Sequence, residues 1–205
     1  KAIASAVERL ELEDEEDLMH AIGSAKLTDR EVMEALVPGA SVVLVGHSYG
    51  GLLAPEFARA HPERLHGLVL VDPATMAQRF EAMQVDRERV LADDQALLGM
   101  LPPNLAADYR ALIVQLDSAA ALEPRSQPDV PVALLTSTSV AAEPFVFEET
   151  AAGKALWKRQ HAALFAGFTR GAHRYFATGH NIHREDPAAV ADAIRDVAVI
   201  ASKLK

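Results

Sequence analysis

A serine stands between two glycines in Gly46-His47-Ser48-Tyr49-Gly50, a G-x-S-x-G motif followed at once by Gly51. A serine hydroxyl is a poor nucleophile at neutral pH, so acyl chemistry needs it held exposed, where a base can remove its proton as it attacks. A sharp turn does this. The apolar run Val42 to Val45 precedes the motif and helical spacing, with Leu53 and Phe57 four apart, follows it over Leu52 to His61. Gly46 to Gly51 is therefore expected to turn the chain from strand to helix. Such a turn strains the backbone at Ser48, and a side chain at Gly46 or Gly50 is expected to collide with neighbouring backbone. The helix that starts there aims its free N–H groups and positive dipole end at the site, so the N–H of Tyr49 is a candidate donor to a developing oxyanion. A glycine-rich turn of this kind can instead bind phosphate, but neither G-K-[ST] nor G-x-G-x-x-G accompanies it.

The elements that must position the serine can be read on either side of it. Val42 to Val45 is rich in β-branched residues and is expected to be a strand buried on both faces; Gly67 to Val71, closed by Asp72-Pro73, is a second of the same kind. Strand, helix, strand predicts a parallel sheet flanked by helices, an α/β fold. From Ala74 to about Asp129 the chain reads as helical segments broken at Pro102-Pro103 and Pro124, with Leu97, Leu98, Leu101, Leu112, Ile113 and Leu116 as apolar faces, and is expected to form an inserted lid. Val130 to Thr136 is a third strand and Arg174 to Ala177 a weaker fourth, with a helix from Ala151 to Phe168 between them; Trp157 on that helix is expected to be core. Asp186 and Pro187 begin a last helix carrying Val190, Ile194 and Val197. Residues 1 to 37 read as solvated helices, with a capping box from Thr28 to Glu31, and Pro55 is expected to remove a hydrogen bond and kink the helix after the serine. At 205 residues one domain is expected.

The stretch V-L-V-G-H-S-Y-G-G-L-L, continued by A-R-A-H-P-E-R-L-H-G-L-V-L-V-D-P-A, resembles the α/β-hydrolase superfamily, in its serine esterase and lipase-like branch. Thr178-Gly179-His180 before the terminal helix is similar to that family's late histidine loop, and the likeness runs over roughly residues 38 to 200. The resemblance implies an order of serine, acid, histidine, which His180 fits. His47, next to Ser48, is expected to point elsewhere, and His61, His66, His161 and His173 are expected to be structural. His180 and His183 with Glu185 or Asp186 could suggest a metal, but the spacing is not H-E-x-x-H and no third ligand is evident. For the acid the resemblance leaves two candidates. The family most often places it after the strand that follows the lid, where Thr136 to Val140 has no carboxylate and Glu143 is the first; Asp72, after the preceding strand, is a position some members use.

The resemblance also implies several strands before the elbow and a second oxyanion donor, often marked by His-Gly. The first apolar strand here is the elbow strand, and His66-Gly67 opens the next one, so an α/β-hydrolase fold truncated at its N-terminus is expected; Lys1 in place of Met is in keeping with a processed or partial chain. A net charge of −9 argues against nucleic-acid partners, and no apolar run approaches the roughly 18 residues of a membrane span. With no cysteine, thiolate chemistry and disulfides are excluded and the redox compartment leaves no mark; the compartment stays open, with a soluble, cytoplasmic protein favoured. The expected activity is hydrolysis of a carboxylic ester or related acyl bond without cofactor or metal. Ser48 would attack, His180 carry the proton, Glu143 or Asp72 orient His180, and Tyr49 N–H hold the oxyanion. A serine nucleophile is unlike the dehalogenase and epoxide-hydrolase branches, which use aspartate there. Met76, Met83 and Met100 in the insert point to a small apolar ester-like substrate. The alternative is a noncatalytic remnant or binding module of the same fold, and the sequence does not specify an oligomeric state.

Overall fold

The computed structural model describes residues 38–118 and 126–203. The helices and capping box expected within residues 1–37, and the break at Pro124, lie outside the described residues. The chain divides into two compact units, Lys1–Val42 and Val43–Lys205, and the elements below belong to the second, β1 beginning one residue before it.

Four strands, β1 (Val42–His47), β2 (Leu65–Val71), β3 (Val132–Ser137) and β4 (Gly171–Phe176), form a parallel sheet in that spatial order. β2 and β3 are continuous apolar runs because helices cover both their faces: Leu68, Val69, Leu70, Val71, Leu134 and Leu135 are each at most 1% exposed. β1 departs from expectation. It is only half-buried, and Val45 is exposed. Among the described residues it has one neighbouring strand, so it is less enclosed than the two central strands. β4 is the polar, partly exposed strand at the other side, which is why its signal in the sequence is weak.

Helix α1 (Tyr49–Ala60) begins at Tyr49 rather than Leu52, since the turn occupies a single residue. Its buried face is Gly51, Ala54, Pro55 and Ala58, whereas Leu53 is exposed. Small residues let the helix approach the sheet closely, a pattern that hydrophobic spacing does not reveal, and the helix continues through Pro55. α2 (Gln78–Met100) and α3 (Pro103–Ser118) make up the described part of the insert. α2 bends at Asp86 (φ −150°, ψ 84°), whose carboxylate accepts from Arg89 N at 3.0 Å and so caps the second half of the helix. α4 (Ala151–Ala166) is capped by Thr150, and α5 (Ile182–Glu185) leads into α6 (Pro187–Ser202). Asp186 caps α6 by accepting from Ala189 N at 3.0 Å. Val190, Ala193 and Val197 of α6 pack with Ile182 on Val69, Val71, Ala133 and Leu135, each large side chain contributing about 1.5 to 3 kcal/mol on burial.

Register decides what meets at the carboxyl edge. Val71, the last residue of β2, lies opposite Leu135, so β3 runs two residues further and carries Thr136 and Ser137 past the point where Asp72 leaves the sheet. Ser137 in turn lies opposite Phe176, and Thr138 N and Ser139 N donate to the carbonyls of Phe176 and Thr178. The loop carrying His180 is thereby drawn alongside the end of β3.

Candidate active site

Ser48 occupies the turn between β1 and α1 with φ 52° and ψ −120°, a left-handed conformation that is costly for a residue with a side chain. Close approach sustains it. A Cβ at Gly46 would lie 2.4 Å from the carbonyl oxygen of Gly50, and one at Gly51 would lie 2.5 Å and 2.8 Å from Cβ and Cα of Pro73. At Gly50 a Cβ meets nothing within 4 Å, so the expected collision belongs to Gly46 and Gly51, not Gly50. Gly51 thus lets the serine-bearing helix seat on the Asp72-Pro73 turn. Ser48 N donates to Val71 O at 3.2 Å, and Ser48 O accepts from Gly51 N and Ala74 N, stitching the turn to the end of β2. The N–H of Tyr49 lies in the first turn of α1, where no helical carbonyl is available to accept it.

Asp72 is fully buried and itself adopts φ 44°. Its Oδ1 accepts from Ser137 N and Trp157 Nε1, both at 2.8 Å; its Oδ2 accepts from Ser137 Oγ at 2.8 Å and from His180 Nδ1 at 2.7 Å. Burial alone would raise its pKa, but the hydrogen bonds from His180 and from the Ser137 N–H outweigh it and hold the carboxyl at about 2. An ionised carboxylate only accepts, so Nδ1 of His180 carries a proton and a neutral His180 keeps its lone pair on Nε2. Glu143 lies exposed on the loop after β3 and, among the described residues, hydrogen-bonds to nothing. The structure therefore joins Asp72, and not Glu143, to His180.

The His180 loop is pinned from three sides. Both carboxylate oxygens of Glu185 accept from Gly179 N, at 3.0 and 3.1 Å. His47 does not point away as expected: its Nε2 donates to the carbonyl of His180 at 3.1 Å and its ring lies 4.6 Å from that of His180. His183 packs edge-on against His47, with ring centroids 4.5 Å apart. Burial, then the neighbouring His180, lowers the pKa of His47 and favours the neutral donor form. Ser48 is half-buried, and among the described residues its hydroxyl and Nε2 of His180 have no hydrogen bond to each other.

Several residues that hold this constellation escape the motif-based reading. Lys154, Trp157 and His161 fall at i, i+3 and i+7 on α4 and face the end of β3. Trp157 is core, as expected, yet also a donor to Asp72. His161 is fully buried; its Nε2 donates to Pro73 O at 2.8 Å, leaving Nδ1 to accept from Thr136 Oγ1 at 2.6 Å, and Thr136 in turn accepts from His173 Nε2 at 2.8 Å. This directed chain clamps the Asp72-Pro73 turn from beneath, and burial lowers the pKa of His161 to about 4. The helix itself was expected, but the signal for these parts is a polar stripe at helical spacing, which apolar periodicity overlooks.

α3 is tied to the first residue of α1 by Tyr49 Oη, which donates to Gln115 Oε1 at 3.2 Å. Met83 packs on the cluster of Ala82, Val90, Phe147 and Leu156, and Met100 is 71% exposed, so neither supports the inference from methionines to an apolar substrate. Among the described residues no group of three His, Asp or Glu side chains is placed to hold a metal ion, and no helix is long and apolar enough to cross a membrane.

Solved structures with related folds include a probable hydrolytic enzyme from Pseudomonas aeruginosa PAO1 (19% identity, TM-score 0.50, 86% of this chain and 68% of that one). Others are the mouse alpha/beta hydrolase domain-containing protein 10 (17%, 0.49, 88% and 72%) and a thermophilic esterase from Thermogutta terrifontis (22%, 0.48, 83% and 69%). Among curated proteins none matches significantly. The profile described as "Alpha/beta hydrolase family" matches residues 7–193. With a match over most of its length, and with the parallel sheet of that fold, the chain belongs to the alpha/beta hydrolase family.

Proposed function

We propose that the protein is a serine hydrolase that cleaves a small carboxylic ester or related acyl bond through an acyl-enzyme. Ser48 Oγ attacks the carbonyl carbon while His180 Nε2 takes its proton; the same imidazole then protonates the leaving group and later deprotonates the water that releases the acid. Asp72 holds the tautomer with the proton on Nδ1 and offsets the charge of the imidazolium formed in each transfer. The N–H of Tyr49 donates to the tetrahedral oxyanion, where removing one such donor costs about 2.7 to 4 kcal/mol in related chemistry. α2 and α3 act as a lid over the acyl or alcohol side of the substrate, attached to the elbow through Tyr49 and Gln115.

The observation that carries this reading is the bond of 2.7 Å from His180 Nδ1 to a buried, ionised Asp72, since it leaves Nε2 as the free base at the sheet edge that holds Ser48. A serine and base that are not yet hydrogen-bonded accord with a resting site, because such contacts commonly tighten only around bound substrate. Incubation with a fluorophosphonate probe tests the reading: the wild-type chain takes up label and Ser48→Ala does not. A folded wild-type chain that takes up none would be a binding module and not a hydrolase.

A further inference from the structure

Lys154 is only 5% exposed, and its Nζ donates to Ser137 Oγ at 2.6 Å. Burying an ammonium costs several kcal/mol unless it is paired and hydrogen-bonded, and a hydrophobic residue of similar length would fill the same space without that cost. The direction of the contact is informative. An ammonium only donates, so the Ser137 oxygen is acceptor to Lys154 and its single hydrogen must go elsewhere, to Asp72 Oδ2 at 2.8 Å. The same oxygen of Asp72 faces His180 Nδ1.

We propose that Lys154, acting through the hydroxyl of Ser137, is a positioning residue for the Asp72 and His180 pair: it commits the Ser137 hydrogen to Asp72 and keeps the carboxylate turned toward the imidazole. The proposal rests on the reading of His180 as the base. Without Lys154 the Ser137 hydroxyl is free to rotate, and Asp72 loses one of the four donors that fix its plane. The other groups around the pair are His47 from β1, His183 from α5, and Trp157 and His161 from α4, while Glu148, Glu149 and Glu185 act on Lys154. Burial lowers the pKa of Lys154, and Asp72 is the foremost charge working against that.

The test uses the whole chain, with the rate of fluorophosphonate labelling and turnover of p-nitrophenyl acetate as readouts. Lys154→Met should lower the labelling rate and kcat roughly tenfold, the scale seen when a residue that orients a reactive group is removed. KM should stay level and the thermal midpoint should hold or rise. Lys154→Gln, which keeps a donor to Ser137, should recover most of the rate, and in a Ser137→Ala background Lys154→Met should add nothing. The proposal is overturned if Lys154→Met is labelled at the wild-type rate, or if the losses in Lys154→Met, Lys154→Gln and Ser137→Ala simply follow the folded fraction. A wild type that resists the probe overturns the hydrolase reading and this one together; a reactive wild type with an unaltered Lys154→Met overturns this one alone.

Discussion

The molecule buries charge in two places, and the two are wired differently. In the insert, Arg79 pairs with Asp94 and Asp117, both at 2.6 Å, Tyr109 donates to Asp94 at 2.9 Å, and Arg89 pairs with Asp93 at 2.7 Å while Phe147 N fills the other Asp93 oxygen. Each buried carboxylate there meets a guanidinium, and the Arg79 set reaches the surface only at Asp117, a carboxylate that Arg79 already pairs. At the carboxyl edge of the sheet one carboxylate, Asp72, meets four donors and no guanidinium, and one donor belongs to His180, whose side chain is 41% exposed. Carboxylates matched to guanidinium groups in this way hold elements together. A network that ends on a half-exposed imidazole with a free ring nitrogen can pass its polarity to something outside, and that difference in the terminal group, more than burial of charge itself, sets the candidate site apart from the scaffold.

The comparison breaks most sharply at its two acids. Asp72→Asn should lower the fluorophosphonate labelling rate by about 10⁴, as expected when an orienting carboxylate loses its charge and the wrong tautomer is favoured. Glu143→Gln should leave it unchanged. Equal losses in both variants would dissolve the distinction drawn between them. In the insert the largest effect is on folding: Arg79→Met strands Asp94 in the interior and should cost about 3 to 5 kcal/mol by denaturant titration, with labelling per folded molecule preserved.

Acid sharpens the same contrast. His161 is held neutral, with a folded pKa of about 4 against an ordinary 6.5, so between these values the unfolded chain binds the extra proton. Stability should be full above pH 6.5 and fall as pH drops toward 4, by on the order of 3 kcal/mol, seen as a falling thermal midpoint. Asp72 acts in a lower window: its contribution is complete above the ordinary 3.8 and is lost as pH falls to about 2. A midpoint flat from pH 6.5 to 4 would remove the clamp that His161 is said to form under Pro73. The smallest effect is expected at the seam between the two regions. Tyr49→Phe deletes one exposed hydrogen bond to Gln115 and should shift stability by no more than about 0.5 kcal/mol, with labelling intact because the oxyanion donor proposed above is the backbone N–H.

Much of the frame was legible because it depends on neighbours in sequence. The apolar run before Gly46, the Asp186-Pro187 start of α6 and the G-x-S-x-G turn each carry their own local chemistry. β1 was overread as buried on both faces, because a run of β-branched residues reports strand propensity and not how many strands stand beside it. Gly50 was misjudged beside Gly46, since motif symmetry says nothing of Pro73, the atom group that makes Gly51 the tighter position. The acid stayed open between Glu143 and Asp72 because either could follow a strand in the right order.

What the sequence determined alone is the position of the serine-bearing turn, the presence of a late histidine and the helical character of the segments between, all properties encoded within about ten residues of themselves. Tertiary structure decided the rest. The meeting of Asp72 with His180 follows from β3 outrunning β2 by two residues, and the contacts of His47, Ser137, Lys154, Trp157 and Glu185 follow from which helix face and which loop the sheet brings together. Hydrogen bonds of this kind join residues separated by up to 133 positions, and no local pattern records a partner so distant, because only the closing of the chain sets the 3 Å over which a proton can be shared.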